Sequence, residues 1–83
     1  MNPDSNRLRY EIACLISDLK NIETFQLMRQ PQLEQHGLEL LDVVDIILEV
    51  EKKYGVEITD DLPVFTVHDF AHIIEARQYR QAG

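Results

Sequence analysis

Apolar residues along the chain gather into three helical stretches separated by poorly periodic ones. Leu8, Ile12, Leu15, Ile16 and Leu19 recur at steps of four, three, one and three, so at about 100° per residue they share one stripe roughly 100° wide. That spacing predicts a first helix fading near Lys20 and Asn21, with Asn2, Asp4 and Ser5 as candidate N-caps. From Asn21 to about Gly37 the periodicity is lost. Ile22, Phe25, Leu27 and Met28 are apolar there, and Pro31 argues against a continuous helix. This stretch reads as a long connection lying across the bundle, its apolar side chains covering one end of the core. Its length calls for a helical turn inside it or for a function.

A second helix is expected from Leu38 or Glu39 to Tyr54, with Gly55 suited to the C-cap. It is apolar on two faces. Val43, Ile46, Ile47, Val50 and Tyr54 fit a core stripe, while Leu41, Val44 and Leu48 form another at i, i+3 and i+7, with Asp42, Asp45 and Glu49 around it. The second stripe is either covered by a further helix of the same chain or is an exposed apolar ridge with an acidic rim, the mark of a partner site. Beyond Gly55, Val56-Glu57-Ile58 reads as extended and half-buried, and Thr59-Asp60-Asp61-Leu62 as one short helical turn limited by Pro63. A last helix opens at Thr66, a good N-cap with Asp69 three residues on, and turns Val67, Phe70, Ala71 and Ile74 to the core with Ile73 beside them. The polar tail beyond Arg77 is expected to fray. The pattern is that of a small all-α bundle: three main helices plus a short one, in a single domain over residues 1–83 with an ordered core of about 6–76.

Composition removes several function classes. A chain of 83 residues buries only about 60–65% of the surface it exposes when unfolded, enough for one small core and no interdomain cleft. A single cysteine excludes an internal disulfide framework and any multi-cysteine zinc site. The longest apolar runs are far too short to span a bilayer, and nothing at the start reads as a secretory signal, so a cytoplasmic protein is expected. The charge is localised. Between Glu34 and Asp61 stand nine acids and two bases, which accounts for the whole net charge of −7. Such a field repels phosphate backbones and steers basic protein surfaces inward, so the expected partner is a basic protein and not nucleic acid.

Candidate chemistry is sparse. His68 and His72 have the i, i+4 spacing of a helical metal clamp, but no third histidine or cysteine is placed to help, and they lie away from the apolar stripe. His36 sits in the connection beside Gly37, where a structural role is expected. Cys14 lies at the margin of the first helix with no nearby base to activate it. Carboxylates abound on the second helix, yet general acid/base work needs a concave, partly dry site. The expectation is no enzyme, no metal and no catalytic residue.

The stretch Gly37-Leu38-Glu39-Leu40-Leu41-Asp42-Val43-Val44-Asp45 resembles the start of the second helix of acyl carrier proteins, where Gly-x-Asp-Ser-Leu is followed by an acid and an apolar pair. The resemblance continues through Glu49 to Ile58, with its run of acids, an aromatic residue and a short Glu-Ile segment, and reaches Thr66, Val67, Phe70 and Ile74. It spans roughly Leu8 to Ile74 and is specific only in the second helix. It implies a four-helix fold, a 4′-phosphopantetheine arm on the motif serine, and partners that read the acidic second helix. This chain departs from the pattern at the position that matters most. Leu40 stands where the family has its serine, flanked by Glu39 in place of aspartate and by Leu41, and His36 precedes Gly37 where the family has an apolar residue. A phosphodiester needs a side-chain hydroxyl and leucine has none, so no cofactor is expected on this chain.

The resemblance then implies a partner-binding surface made of Leu40, Leu41, Asp42, Val44, Asp45, Leu48 and Glu49. The leading expectation is a carrier-like, non-enzymatic domain that docks on a basic surface of an acyl- or ketide-processing enzyme, as a monomer or weak homodimer. The alternative is an atypical carrier or lipid-binding protein holding an acyl group non-covalently or at another residue.

Overall fold

The computed structural model describes residues 3–59 and 64–82, with side chains described over 6–59 and 64–77. The turn expected at Thr59–Leu62 falls largely on residues 60–63, outside the described residues. Helix α1 spans Pro3–Lys20, α2 Thr24–Arg29, α3 Leu40–Tyr54 and α4 Val67–Ala82, with a 3₁₀ turn at Leu33–His36. Among the described residues no helix is long and apolar enough to cross a membrane.

Helix α1 is the element against which α2, α3 and α4 all pack. It opens on Pro3, whose fixed φ suits a first helical turn, so Asp4 and Ser5 lie inside the helix and not at its cap. It ends as Asn21 turns left-handed at φ 58° with its N–H on Ser17 O at 2.9 Å. Of its apolar stripe, Ile12 and Ile16 are fully buried, joined by Ala13, while Leu8 and Leu15 pack at the edge. Leu19 is exposed, a correction to the stripe: the last turn of α1 flanks a shallow surface depression shared with Asp18, Glu49 and Lys53.

The connection from Asn21 to Gly37 contains α2 and the 3₁₀ turn. Leu27 and Leu33 reach the core from it and Ile22 packs against the core, whereas Phe25 and Met28 remain on the surface. The expected cover over the core end is thus made by Leu27, Leu33 and Ile22 alone. Two hydrogen bonds fasten the end of this connection to the segment before α4: Leu33 N–H to Phe65 O at 3.0 Å and Val67 N–H to Pro31 O at 2.9 Å. They frame an isolated antiparallel bridge between Gln32 and Thr66.

Helix α3 begins at Leu40, two residues inside the earliest expected start, and closes on Gly55, whose φ of +64° is the left-handed conformation that favours glycine. Ile46 and Val50 are fully buried, and Val43, Ile47 and Tyr54 pack around them. After it, Val56 and Ile58 are buried with Glu57 outside, and Ile58 N–H donates to Glu51 Oε2 at 2.8 Å. Helix α4 has the expected capping box. Asp69 N–H donates to Thr66 Oγ1 at 3.0 Å, and Asp69 Oδ2 accepts from the backbone N–H of Thr66 and Phe65 at 3.0 and 2.9 Å. Val67, Phe70, Ala71, Ile73 and Ile74 complete the core. The helix extends past Arg77 as far as Ala82, through the good helix formers Ala76, Arg77, Gln78, Arg80, Gln81 and Ala82.

Candidate functional site

Helix α3 rests its Ile46–Val50 face on α1 and, among the described residues, leaves the opposite face exposed. Leu40 and Leu41 are each 78% exposed, Leu48 57% and Val44 41%. The expected second stripe is therefore a surface ridge, extended by Leu40 at the helix start. Position explains the exposure: Leu40 is the first helical residue, and Leu41, Val44 and Leu48 recur at i, i+3 and i+7 away from the core.

The acids around the ridge are not equivalent. Lys20, from the last turn of α1, reaches across to α3 and places Nζ 2.9 Å from Asp42 Oδ1 and 3.1 Å from Asp45 Oδ2. Asp42 Oδ2 also accepts the Glu39 backbone N–H at 2.8 Å, closing a capping box at the start of α3. Asp42 thus caps its own helix and ties it to α1, so its carboxylate already has partners within the chain. Asp45 is the more open of the two, its side chain 59% exposed against 31%. The sequence spacing shows none of this, because Lys20 and Asp42 are brought together only by the packing of α1 on α3.

This arrangement holds the Asp42 carboxyl below the usual aspartate range, first through the Glu39 amide and then through Lys20. Lys20 is in turn held above the usual lysine range, by Asp42 and then Asp45. A carboxyl depressed in the folded state contributes stability that is present above the unfolded aspartate pKa, about 4, and is lost as pH falls through the lower folded value. The expected outcome is a thermal midpoint that falls on acidification below about pH 4. That fall is shallower in Asp42→Asn, and the neutral-pH midpoint drops in Lys20→Met. Thermal melts from pH 7 to 2 on the three proteins measure it.

The remaining candidates stay apart from this surface. His68 and His72 are exposed on α4 and share a shallow depression with Arg9, Asp69 and Glu75. Burial, and after it the nearby Arg9, lower the His68 pKa. Among the described residues no group of three or more His, Cys, Asp or Glu is placed to hold a metal. His36 Nε2 lies 2.6 Å from Gln30 O, linking the 3₁₀ turn to the end of α2. Cys14 is half-buried, with Thr24 Oγ1 4.0 Å from its sulfur. Tyr54, its pKa raised first by burial and then by Glu11, donates to Glu11 Oε1 at 3.0 Å and fastens α3 to α1.

At the head of α3 lies a feature that sequence reading missed, an open groove of about 520 Å³ between the 3₁₀ turn, the first turn of α3 and residues 64–66. Leu40 stands on it, and so does Thr66, whose hydroxyl oxygen already caps α4. The remaining described serine and threonine hydroxyls lie elsewhere: Ser17 on α1, Thr24 at the start of α2 against Cys14, and Thr59 beyond α3.

Among curated proteins, the chain is similar to the acyl carrier protein of Helicobacter pylori (strain ATCC 700392 / 26695). The two are 31% identical over 68 residues, which cover 78% of this chain and 87% of that protein. No family model matches the chain, and no solved structure matches it.

Proposed function

This chain belongs to the acyl carrier protein family, and we propose that it keeps a docking surface of that family without its prosthetic arm. It is not an enzyme. The observation that carries the reading is Leu40, a hydrocarbon side chain 78% exposed at the head of α3, where the resemblance puts the attachment serine. A 4′-phosphopantetheine arm needs an oxygen there, and the residue does not fit the group.

What Leu40 does instead is lengthen the apolar ridge of Leu41, Val44 and Leu48. Four large apolar side chains exposed along one helix face, within the most acidic stretch of a chain of net charge −7, suit a partner better than solvent. Covering them returns about 25 cal/mol per Å² of apolar area. Asp45 and Glu49 beside the ridge select a basic surface and steer it inward. The partner of this reading is an acyl- or ketide-processing enzyme.

Capture from lysate of the source organism tests it, with Asp45→Lys/Glu49→Lys as the control bait. Asp42 is left intact so that the cap of α3 survives. Enzymes of acyl or ketide metabolism, identified by mass spectrometry, are expected to enrich on wild type and to be lost from the variant. Equal recovery on both baits contradicts the reading.

A further inference from the structure

The groove at the head of α3 has the marks of a seat for one kind of occupant. Its walls are fixed across the chain by the bonds from Leu33 to Phe65 and from Val67 to Pro31, so it is set by tertiary hydrogen bonds and not by a loose loop. Leu38, Val43 and Val64 give it an apolar lining, and Leu40 and Phe65, 78% and 71% exposed, line it as well. Two exposed acids, Glu34 and Glu39, also line it, and no base does among the described residues. The volume, about 520 Å³, falls within the range of small-molecule pockets and leaves ample room for a large apolar side chain. Leu40 belongs to both groove and ridge, which makes the two one continuous surface.

Resting on the docking reading above, we propose that this groove seats an apolar side chain carried on a basic amphipathic helix of the partner. The charge decides the occupant. A fatty-acid carboxylate at the mouth would face Glu34 and Glu39, each repelling it, whereas lysines or arginines flanking an apolar anchor would meet both acids while the anchor fills the groove. The partner thus inserts a side chain beside the position from which the family's arm would leave. Phe65 and Leu40 close over that anchor and carry most of its hold, as buried aromatic and aliphatic contacts at the centre of an interface do.

The test is an amide-resolved NMR titration of the ¹⁵N-labelled full chain with a synthetic amphipathic leucine/lysine helix, a leucine/glutamate helix of the same pattern, and dodecanoate. The leucine/lysine helix is expected to shift the amides of residues 32–34, 38–40, 43 and 64–66 together with those of the ridge. Its binding should weaken about tenfold in Phe65→Ser, a change at an exposed position whose retained fold is checked by circular dichroism. Shifts confined to residues 44, 45, 48 and 49, with Phe65→Ser binding like wild type, overturn the groove and leave the docking reading standing. No shift with the leucine/lysine helix anywhere overturns both. Equal binding of the leucine/glutamate helix, or groove shifts produced by dodecanoate in place of the leucine/lysine helix, overturn the choice of occupant.

Discussion

Leu40→Ser is expected to create an acceptor for a single arm, supplied by a phosphopantetheinyl transferase and coenzyme A, in a chain read as accepting none. The effect is all-or-none because the chemistry is: without a hydroxyl at this position no phosphodiester forms, whatever the docking. The substitution is mild for the fold. Leu40 is mostly exposed and takes no part in the buried core, and exposed changes usually move stability by no more than about 0.5 kcal/mol. The cap at the start of α3 rests on Glu39 and Asp42, which the change leaves in place. Intact-mass measurement after incubation reads the result directly. A Leu40→Ser protein that stays unloaded, under conditions that load a serine-bearing carrier, would show that Leu40 does not occupy the attachment position or that the surface around it no longer docks.

The helices and the ridge were legible because each rests on local periodicity. Ile12 and Ile16, Ile46 and Val50, and Phe70 and Ile74 repeat at helical spacing and are buried where that spacing puts them. Thr66 with Asp69, and Gly55, mark their helix ends by chemistry visible in a few residues. The ridge could be read as a second stripe, but its exposure could not, since that depends on whether another helix covers it.

What stayed hidden is long-range or too short to have a period. Helix α2 is six residues long, less than two turns, and Leu27 is its one buried residue. The Lys20 bridge to Asp42 and Asp45 joins residues more than twenty positions apart, and it turns a rim acid into a helix cap and a tie between helices. The groove exists only because residues 31–33 meet 65–67, which no pattern in either segment announces. Leu19 continues the stripe of α1 in sequence yet is 38% exposed in the fold, beside the depression it shares with Asp18, Glu49 and Lys53.

The wild-type chain is expected to compete with a serine-bearing acyl carrier protein for a phosphopantetheinyl transferase while its own mass never changes. Docking and loading are separate events, one made by the face of α3 and the other by one oxygen atom, and this chain is read as having the first without the second. If the two proteins dock equally and together saturate the transferase, a tenfold excess of wild type slows loading of the serine-bearing carrier roughly tenfold. Leu41→Lys/Leu48→Lys should lose the effect. Each leucine contributes about 1.5–3 kcal/mol when fully covered, so removing both weakens docking by 10²-fold or more. The competition assay, read by intact mass on both proteins at once, is the most direct test of the account. Slowed loading with this chain at its original mass is the result it predicts. A chain that gains the mass of the arm, or one that leaves the loading rate untouched at high excess, would contradict it.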